Sequence, residues 1–525
     1  MEKRESSGPV ELQGPPLVGN LEQNGIYITE QLNNGAEFME KKPTDYNAVA
    51  YYYTGLNKYI VFLLYCIPIS VASSIYFNWS SVSRLLIRAG VYEWHCSEAD
   101  IAGKTASQIK CEAQRLKISQ LLVLTRSCDM VVSALTGFLI DRFSQRYVLL
   151  TGNVFLAMGW MLLAFNGKSN RLVTLAFFCI GLCASCVFMS ALNVINLFKD
   201  NRGLAICFIV SLADDVSTNI PLILNGMFTL LGPNHFKYVC IFYIFFATIP
   251  TTIIGFTAMP VKSWTTCIKE YETLSQDAME VKSSEEEGSN LVEALANEEI
   301  SGYVQRKSRF KMLLSDGYDL LKPIIPYVMS KCFFVTFICF SITNFSNLLM
   351  TNLFLKYYDN SENILFLSEI LLSLQFVPGI MLGYLFDIFL VSRVNYTLNV
   401  FSFVALILLY LRTKVSGYMF CPIQAMLICV DFSTLMVYIN LIFPVEHMST
   451  LTGFTLFLDG IVSLFTSQLD RALLRSKSSA PIFVAASFVA TRLLLYVYLH
   501  HLMKPMQEPM KRSVSDGSDI VIETL

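Results

Sequence analysis

Ionisable residues stand inside long apolar stretches of this chain: Arg126 and Asp129, Asp214 and Asp215, Lys331, Glu369, Asp431, Asp459 and Arg492. A charge at the centre of a hydrocarbon layer costs about 3 kcal/mol or more, so each must face a partner or a wet cavity, and each is a candidate for recognising a charged solute. Arg126 and Asp129 are three apart on one helical face, where they can neutralise each other or offer both signs to a zwitterion. Asp431 lies mid-segment near Ser433, Thr434 and Tyr438 and is the candidate for holding an ammonium group; Arg126 is the matching donor to a carboxylate. Asp214 and Asp459 sit at similar depths of their segments. Lys331 and Glu369 lie toward segment ends and read as structural pairs.

Neutral groups add to this inventory: Asn78, Ser80 and Ser81, then Asn193 and Asn196, then Asn344, Ser346 and Asn347. Such residues can bind a solute or join helices, at about 0.6 kcal/mol each on average. The five histidines show no metal-ligand spacing, and no metal or cofactor is expected. The phosphate-binding pattern G-x-x-x-x-G-K-[ST] is missing, as is any Ser-His-Asp or Cys-His set at a shared membrane depth, so neither ATP hydrolysis nor an enzyme is indicated. A net charge of -2 without a basic face gives no reason to expect nucleic acid.

The elements that must carry these residues follow from composition. Hydrophobic residues make up 54% of the 525 and charged residues only 15%, against roughly 25% in soluble domains, so the solvent is a lipid bilayer. Apolar runs of about 20 residues, the length of a spanning helix, recur along the chain. Six lie at 59–83, 117–140, 147–166, 172–198, 204–231 and 236–259, and six more at 323–349, 362–387, 394–412, 416–443, 449–469 and 480–503. The pattern predicts an all-α membrane protein of 12 transmembrane helices in two six-helix bundles, residues 58–259 and 322–503. A disordered tail (1–57), a polar central loop (260–321) with an amphipathic helix in LVEALANEEI, and a second tail (504–525) are expected on the cytoplasmic side.

The halves repeat. A shift of about 246 residues carries Gly137, Leu139 and Asp141 onto Gly383, Leu385 and Asp387, and Phe208, Leu212, Val216 and Ser217 onto Phe454, Leu458, Val462 and Ser463. A shift of about 244 carries Ile195, Asn196 and Leu197 onto Ile439, Asn440 and Leu441. Agreement in order and offset points to a duplicated unit with pseudo-symmetric halves. Most of the fourteen cysteines lie in apolar helices as small hydrophobes. Cys96 and Cys111 instead flank the first outward loop, where a disulfide would close about 15 residues and contribute ~3 kcal/mol.

The stretch GFLIDRFSQR, Gly137 to Arg146, resembles the G-x-L-x-D-R-x-x-x-R signature of the major facilitator superfamily, and GYLFD at Gly383 to Asp387 is a shorter echo. The resemblance implies the major facilitator fold, with Gly137, Asp141, Arg142, Arg146, Gly383 and Asp387 forming conformational latches. With Ile388 after Asp387 and Arg393 further off, the second latch is expected to be weaker or differently partnered. NWSSVSRLLIRAGVYEWHC after the first helix, NRGLA at Asn201 and FPVEHMSTLTGF at Phe443 are similar to the sodium-independent facilitators of large neutral amino acids and the apicomplexan amino-acid transporters. That likeness implies a secondary transporter of amino acids working by alternating access, with Asn78, Arg126, Asp129, Asn193, Asp214, Asn344, Asp431 and Asp459 as candidate substrate-binding residues. Proton coupling through buried acids is open. Another small solute (a sugar, organic anion or nucleoside) and a non-transporting nutrient sensor are the alternatives; the plasma membrane is the expected location, with an internal membrane the other.

Overall fold

Every regular element among the described residues is a helix. The computed structural model describes residues 45–96, 111–166, 169–199, 201–232, 235–284, 322–358, 361–475 and 480–515.

Helices α1 (Tyr46–Thr54) and α2 (Lys58–Ala72) form the first apolar pair, bent by 63° at their junction. Gly55 sits in the bend at φ +71°, a left-handed backbone that a side chain disfavours, and Asn57 caps α2 through the Tyr59 amide. Two sequence expectations change here. Residues 46–54, read as tail, are helical with Val49 and Ala50 buried, because a tyrosine-rich run conceals a packing face. The first segment, read as continuing to 83, ends at Ala72; a short turn leads to α3 (Trp79–Arg88), which starts where the Asn78 side chain accepts the Ser81 amide at 3.3 Å.

Next come α4 (Glu112–Arg142), α5 (Gln145–Ala164) and α6 (Asn170–Leu192), the last extended by a tight turn through Leu197. The segment read as 204–231 is not continuous. It is split into α7 (Arg202–Ser211) and α8 (Ile220–Leu231) by a π-turn at Leu212–Val216 and a tight turn at Ser217–Asn219. Pro221, which has no amide to donate backward, marks the restart. α9 (Phe236–Thr257) closes the first half.

α10 (Trp264–Ser284) then lies within the stretch read as polar loop; its buried Trp264 and Cys267 anchor it, a signal two residues wide amid polar sequence. The helix expected in LVEALANEEI lies outside the described residues. The second half runs α11 (Lys331–Tyr358), α12 (Glu362–Ser373), α13 (Phe376–Ile388), α14 (Val391–Leu411), α15 (Lys414–Ile442), α16 (Met448–Arg475) and α17 (Ala480–Ser515). α12 and α13 are bent by 49°.

Among the described residues nine helices are long and apolar enough to cross a membrane, or eleven if each bent pair is one span. The broken α7–α8 segment is the remaining counterpart of the twelve predicted. Large apolar side chains such as Leu230, Phe465 and Leu494 face outward, while Asn, Ser and Thr are buried between helices. Apolar side chains on the outer surface suit lipid, and the buried Asn, Ser and Thr, set among apolar residues, join helices by interhelical hydrogen bonds. The halves meet along two seams, α4 against α16 and α7 against α13.

Candidate functional site

Each seam is closed at one end by a carboxylate from one half on the first turn of a helix in the other. Asp141, near the end of α4, accepts the Thr450 amide and hydroxyl, both at 2.7 Å, at the start of α16. Asp387, near the end of α13, accepts the Gly203 amide at 2.7 Å and the Leu204 amide at 2.8 Å at the start of α7. The unpaired amides and positive dipole end of a helix N-terminus favour an anion there. Glycine lets the seams close: a Cβ on Gly137 would run into the Ser449 carbonyl, and one on Gly383 would lie 2.6 Å from the Cys207 Cβ. Gly453 meets the Ser133 carbonyl in the same way, and the Ser133 hydroxyl donates to the Gly453 carbonyl at 2.9 Å.

The basic members of the motif work within and beside this closure. Arg146 donates through Nε to the Met259 carbonyl at 2.8 Å, tying α5 to the end of α9. Arg142 is exposed at the same end, its charge acting on His447. Arg202 adds a bond between halves, Nη1 to Asn440 Oδ1 at 2.7 Å.

Further along the seam, charges from both halves face one narrow cleft lined by Arg126 of α4, Ser341, Asn344 and Leu348 of α11, and Asp459 and Ser463 of α16. Asp459 is buried and accepts Ser341 Oγ at 2.7 Å and Asn344 Nδ2 at 2.8 Å. Arg126 has no carboxylate within ion-pairing distance among the described residues, and its buried Nε has no hydrogen-bond partner among them. Its charge acts on both Asp129 and Asp459.

Asp129 does not enter that cleft. It accepts the Tyr76 hydroxyl at 2.5 Å and the Ser185 hydroxyl, so a carboxylate that sequence allowed to pair with Arg126 is satisfied by neutral donors of its own half. Asp431 accepts Asn347 Nδ2 at 2.5 Å, and the charges of Arg492 and Asp459 act on it. Arg492 is itself buried and donates to Asn399 Oδ1 and Ser402 Oγ, both at 2.7 Å.

Of the remaining candidates, Asn344 joins the Asp459 cluster. Asn78 caps α3. Asn193 lies at the latch end, where its Oδ1 accepts the Trp264 amide at 3.1 Å and Asn196 Nδ2 at 3.4 Å, away from the cleft. The Asp214 backbone lies in the π-turn, and its side chain is outside the described residues. A disulfide joins Cys96 to Cys111, with Cα atoms 5.8 Å apart, at the opposite end of α4 from Asp141. Tyr76, Ser185 and Ser341 were not singled out by sequence; as neutral residues in apolar runs, they gain a role only where helices meet. Glu369 pairs with Arg84 at 3.3 Å, as its place near a segment end implied.

Residues 121–467 match the family model of the Major Facilitator Superfamily. The chain belongs to that superfamily. It is therefore an integral, multi-pass membrane transporter. The fold is similar to that of the proton:xylose symporter XylE bound to 6-bromo-6-deoxy-D-glucose, with a TM-score of 0.59 at 11% identity over 87% of this chain and 96% of the other. It is also similar to the human organic anion transporter MFSD10, with a TM-score of 0.54 at 11% identity over 84% and 98%. In sequence, the transporter is 31% identical to Arginine transporter 1 of Toxoplasma gondii over 213 residues, a match that spans only 40% of each chain. It is 25% identical to Amino acid transporter 6-1 of Toxoplasma gondii over 85% of this chain and 78% of that one. It is 24% identical to Cationic amino acid transporter 8 of Plasmodium berghei over 79% and 83%.

Proposed function

We propose that this transporter carries amino acids across its membrane by alternating access, and that they bind in the cleft shared by Arg126 and Asp459. One observation carries the reading: a guanidinium from the first half and a carboxylate from the second face the same narrow space. An amino acid presents a carboxylate and an ammonium on one carbon, so it bridges the halves in a way that a sugar cannot. Arg126, whose Nε has no partner among the described residues, binds the carboxylate. Asp459, held by Ser341 and Asn344, binds the ammonium. This moves the ammonium from Asp431, the candidate from sequence, to the acid that shares the cleft with Arg126. The names of the relatives, transporters of arginine, cationic amino acids and amino acids, support the same class.

The latches then serve the cycle. Asp141 and Asp387 hold one face closed, and opening that face requires both helix N-termini to leave their carboxylates. The decisive experiment is uptake of a labelled amino-acid panel into proteoliposomes containing the purified protein. Saturable uptake that is competed by amino acids but not by sugars or organic anions is expected. Uptake of a sugar or organic anion with no effect of amino acids would overturn the reading, and no movement of any solute would favour a sensor. Repeating the assay with an imposed pH gradient separates proton coupling from facilitated diffusion.

A further inference from the structure

We propose that α3 is a lid over the face opposite the latches, that Arg84 and Glu369 form the charge pair that closes it across the two halves, and that Tyr76 is the positioning residue linking the lid to the binding region. Among the described residues three ion pairs form. Lys262–Glu270 is local, and Lys269 of α10 pairs with Glu446 at 2.5 Å beside the latch on Thr450. Arg84–Glu369, at 3.3 Å, joins α3 to α12 of the other half. Asn219 Nδ2, donating to the Ser373 carbonyl at 3.2 Å, is a second contact between α12 and the first half.

α3 belongs to the first half. Its buried positions Val82, Leu85 and Leu86 recur at helical spacing on one face. Asn225 of α8 donates to the Ser81 carbonyl at 2.6 Å, and Arg88 donates to Thr229 at 2.9 Å. Arg84 points off this anchored face. The seat beneath is apolar, lined by Val82, Leu85, Leu86, Tyr76, Trp160 and Phe177, all of them buried.

Tyr76 connects this seat to the interior. It precedes α3 in the turn Ile75–Phe77, lines the seat, and donates its hydroxyl to Asp129, one helical turn from Arg126. Movement of α3 outward therefore pulls on the donor to Asp129, and a change at Arg126 is felt at the lid. The latches and the Arg84–Glu369 pair close opposite ends and are all formed in this structure, so opening either face requires the set at that face to break.

The test uses Leu348→Cys as a reporter in the cleft of the full-length protein in membranes, with a membrane-impermeant maleimide added on the disulfide side. Its readout needs no knowledge of the substrate, so it stands or falls apart from the amino-acid reading. Arg84→Glu and Glu369→Arg are each expected to raise the labelling rate about threefold to fivefold, the shift that loss of one exposed pair permits. The double swap Arg84→Glu/Glu369→Arg is expected to return it to the parent rate. Tyr76→Phe, with the ion pair intact, is expected to raise labelling in the same direction at an unchanged amount of folded protein. Unchanged labelling in the single charge variants, or an increase that the swap does not reverse, overturns the gate. A Tyr76→Phe protein that labels like the parent overturns the positioning role.

Discussion

Asp141 and Thr450 lie 309 residues apart and meet through two hydrogen bonds of 2.7 Å, one from an amide and one from a hydroxyl. Asp387 and Leu204 stand in the same relation, displaced by about 246 residues, with the Gly203 amide supplying the second donor. One chemical device, a carboxylate on the first turn of a helix in the other half, therefore closes both seams. The duplicated sequence has produced a duplicated clasp.

Asp141→Ala removes both bonds to α16. Hydrogen bonds to a charged group contribute about 1.5–3 kcal/mol each, enough to shift the resting population strongly away from the closed latch face. At equal surface amount, initial uptake is expected to fall at least about tenfold, and Asp387→Ala to do the same. Accessibility of an introduced thiol from the latch side should rise in both, and unchanged uptake and accessibility would count against the clasp.

Gly137→Ala and Gly383→Ala place a methyl group against the Ser449 carbonyl and the Cys207 Cβ. Neither neighbour is the far end of a flexible chain, so the halves must separate. Both variants are expected to lose transport while remaining folded. Gly226→Ala, which has nothing within 4 Å of the new methyl, is the control and is expected to transport normally. Equal behaviour of all three would remove the close-approach argument.

Arg126→Gln and Asp459→Asn each delete one pole of the proposed zwitterion site. Losing one charge-assisted bond costs about 2–3 kcal/mol, so KM for the preferred amino acid is expected to rise roughly thirtyfold to hundredfold. Competition by the corresponding amino-acid amide, which lacks the carboxylate, should weaken in Asp459→Asn but change little in Arg126→Gln. Equal loss of competition by the amide in both variants would point to collapse of the cleft instead.

Cys96→Ser/Cys111→Ser opens the loop that the disulfide closes. A 15-residue closure contributes about 3 kcal/mol, so thermal unfolding in detergent is expected several degrees lower. The parent protein treated with reductant should move toward the variant, and the variant should not respond.

Arg492→Leu leaves Asn399 Oδ1 and Ser402 Oγ facing a hydrocarbon side chain and removes the positive charge near Asp431. Each buried acceptor left unpaired costs about 1–3 kcal/mol, and a loss of folded protein is expected. Arg492→Lys, which keeps the charge but not the two-pronged geometry, should recover part of it in a thermal-stability assay.

Much of this was legible in the chain. Helix positions followed from runs of apolar residues, because in lipid a helix must satisfy its own backbone and so announces itself locally. Departures came where a local signal was mixed: the tyrosine-rich α1, the Pro221 break after α7, and α10 with its single buried tryptophan. The buried charges were equally visible as anomalies. Their partners were not, since Asp129 could have paired with Arg126 and instead turned to Tyr76 and Ser185.

The sequence alone thus determined the solvent of this protein, its helical repeat and the residues that need an explanation, since hydropathy and spacing are properties of single segments. Only the tertiary structure decided which carboxylate meets which helix end, that Arg126 and Asp459 share a cleft, and that Asn193 stands apart from it. Those relations depend on which faces of distant helices pack together, and helix faces meet through side-chain fit summed over whole seams, a quantity that no local pattern carries.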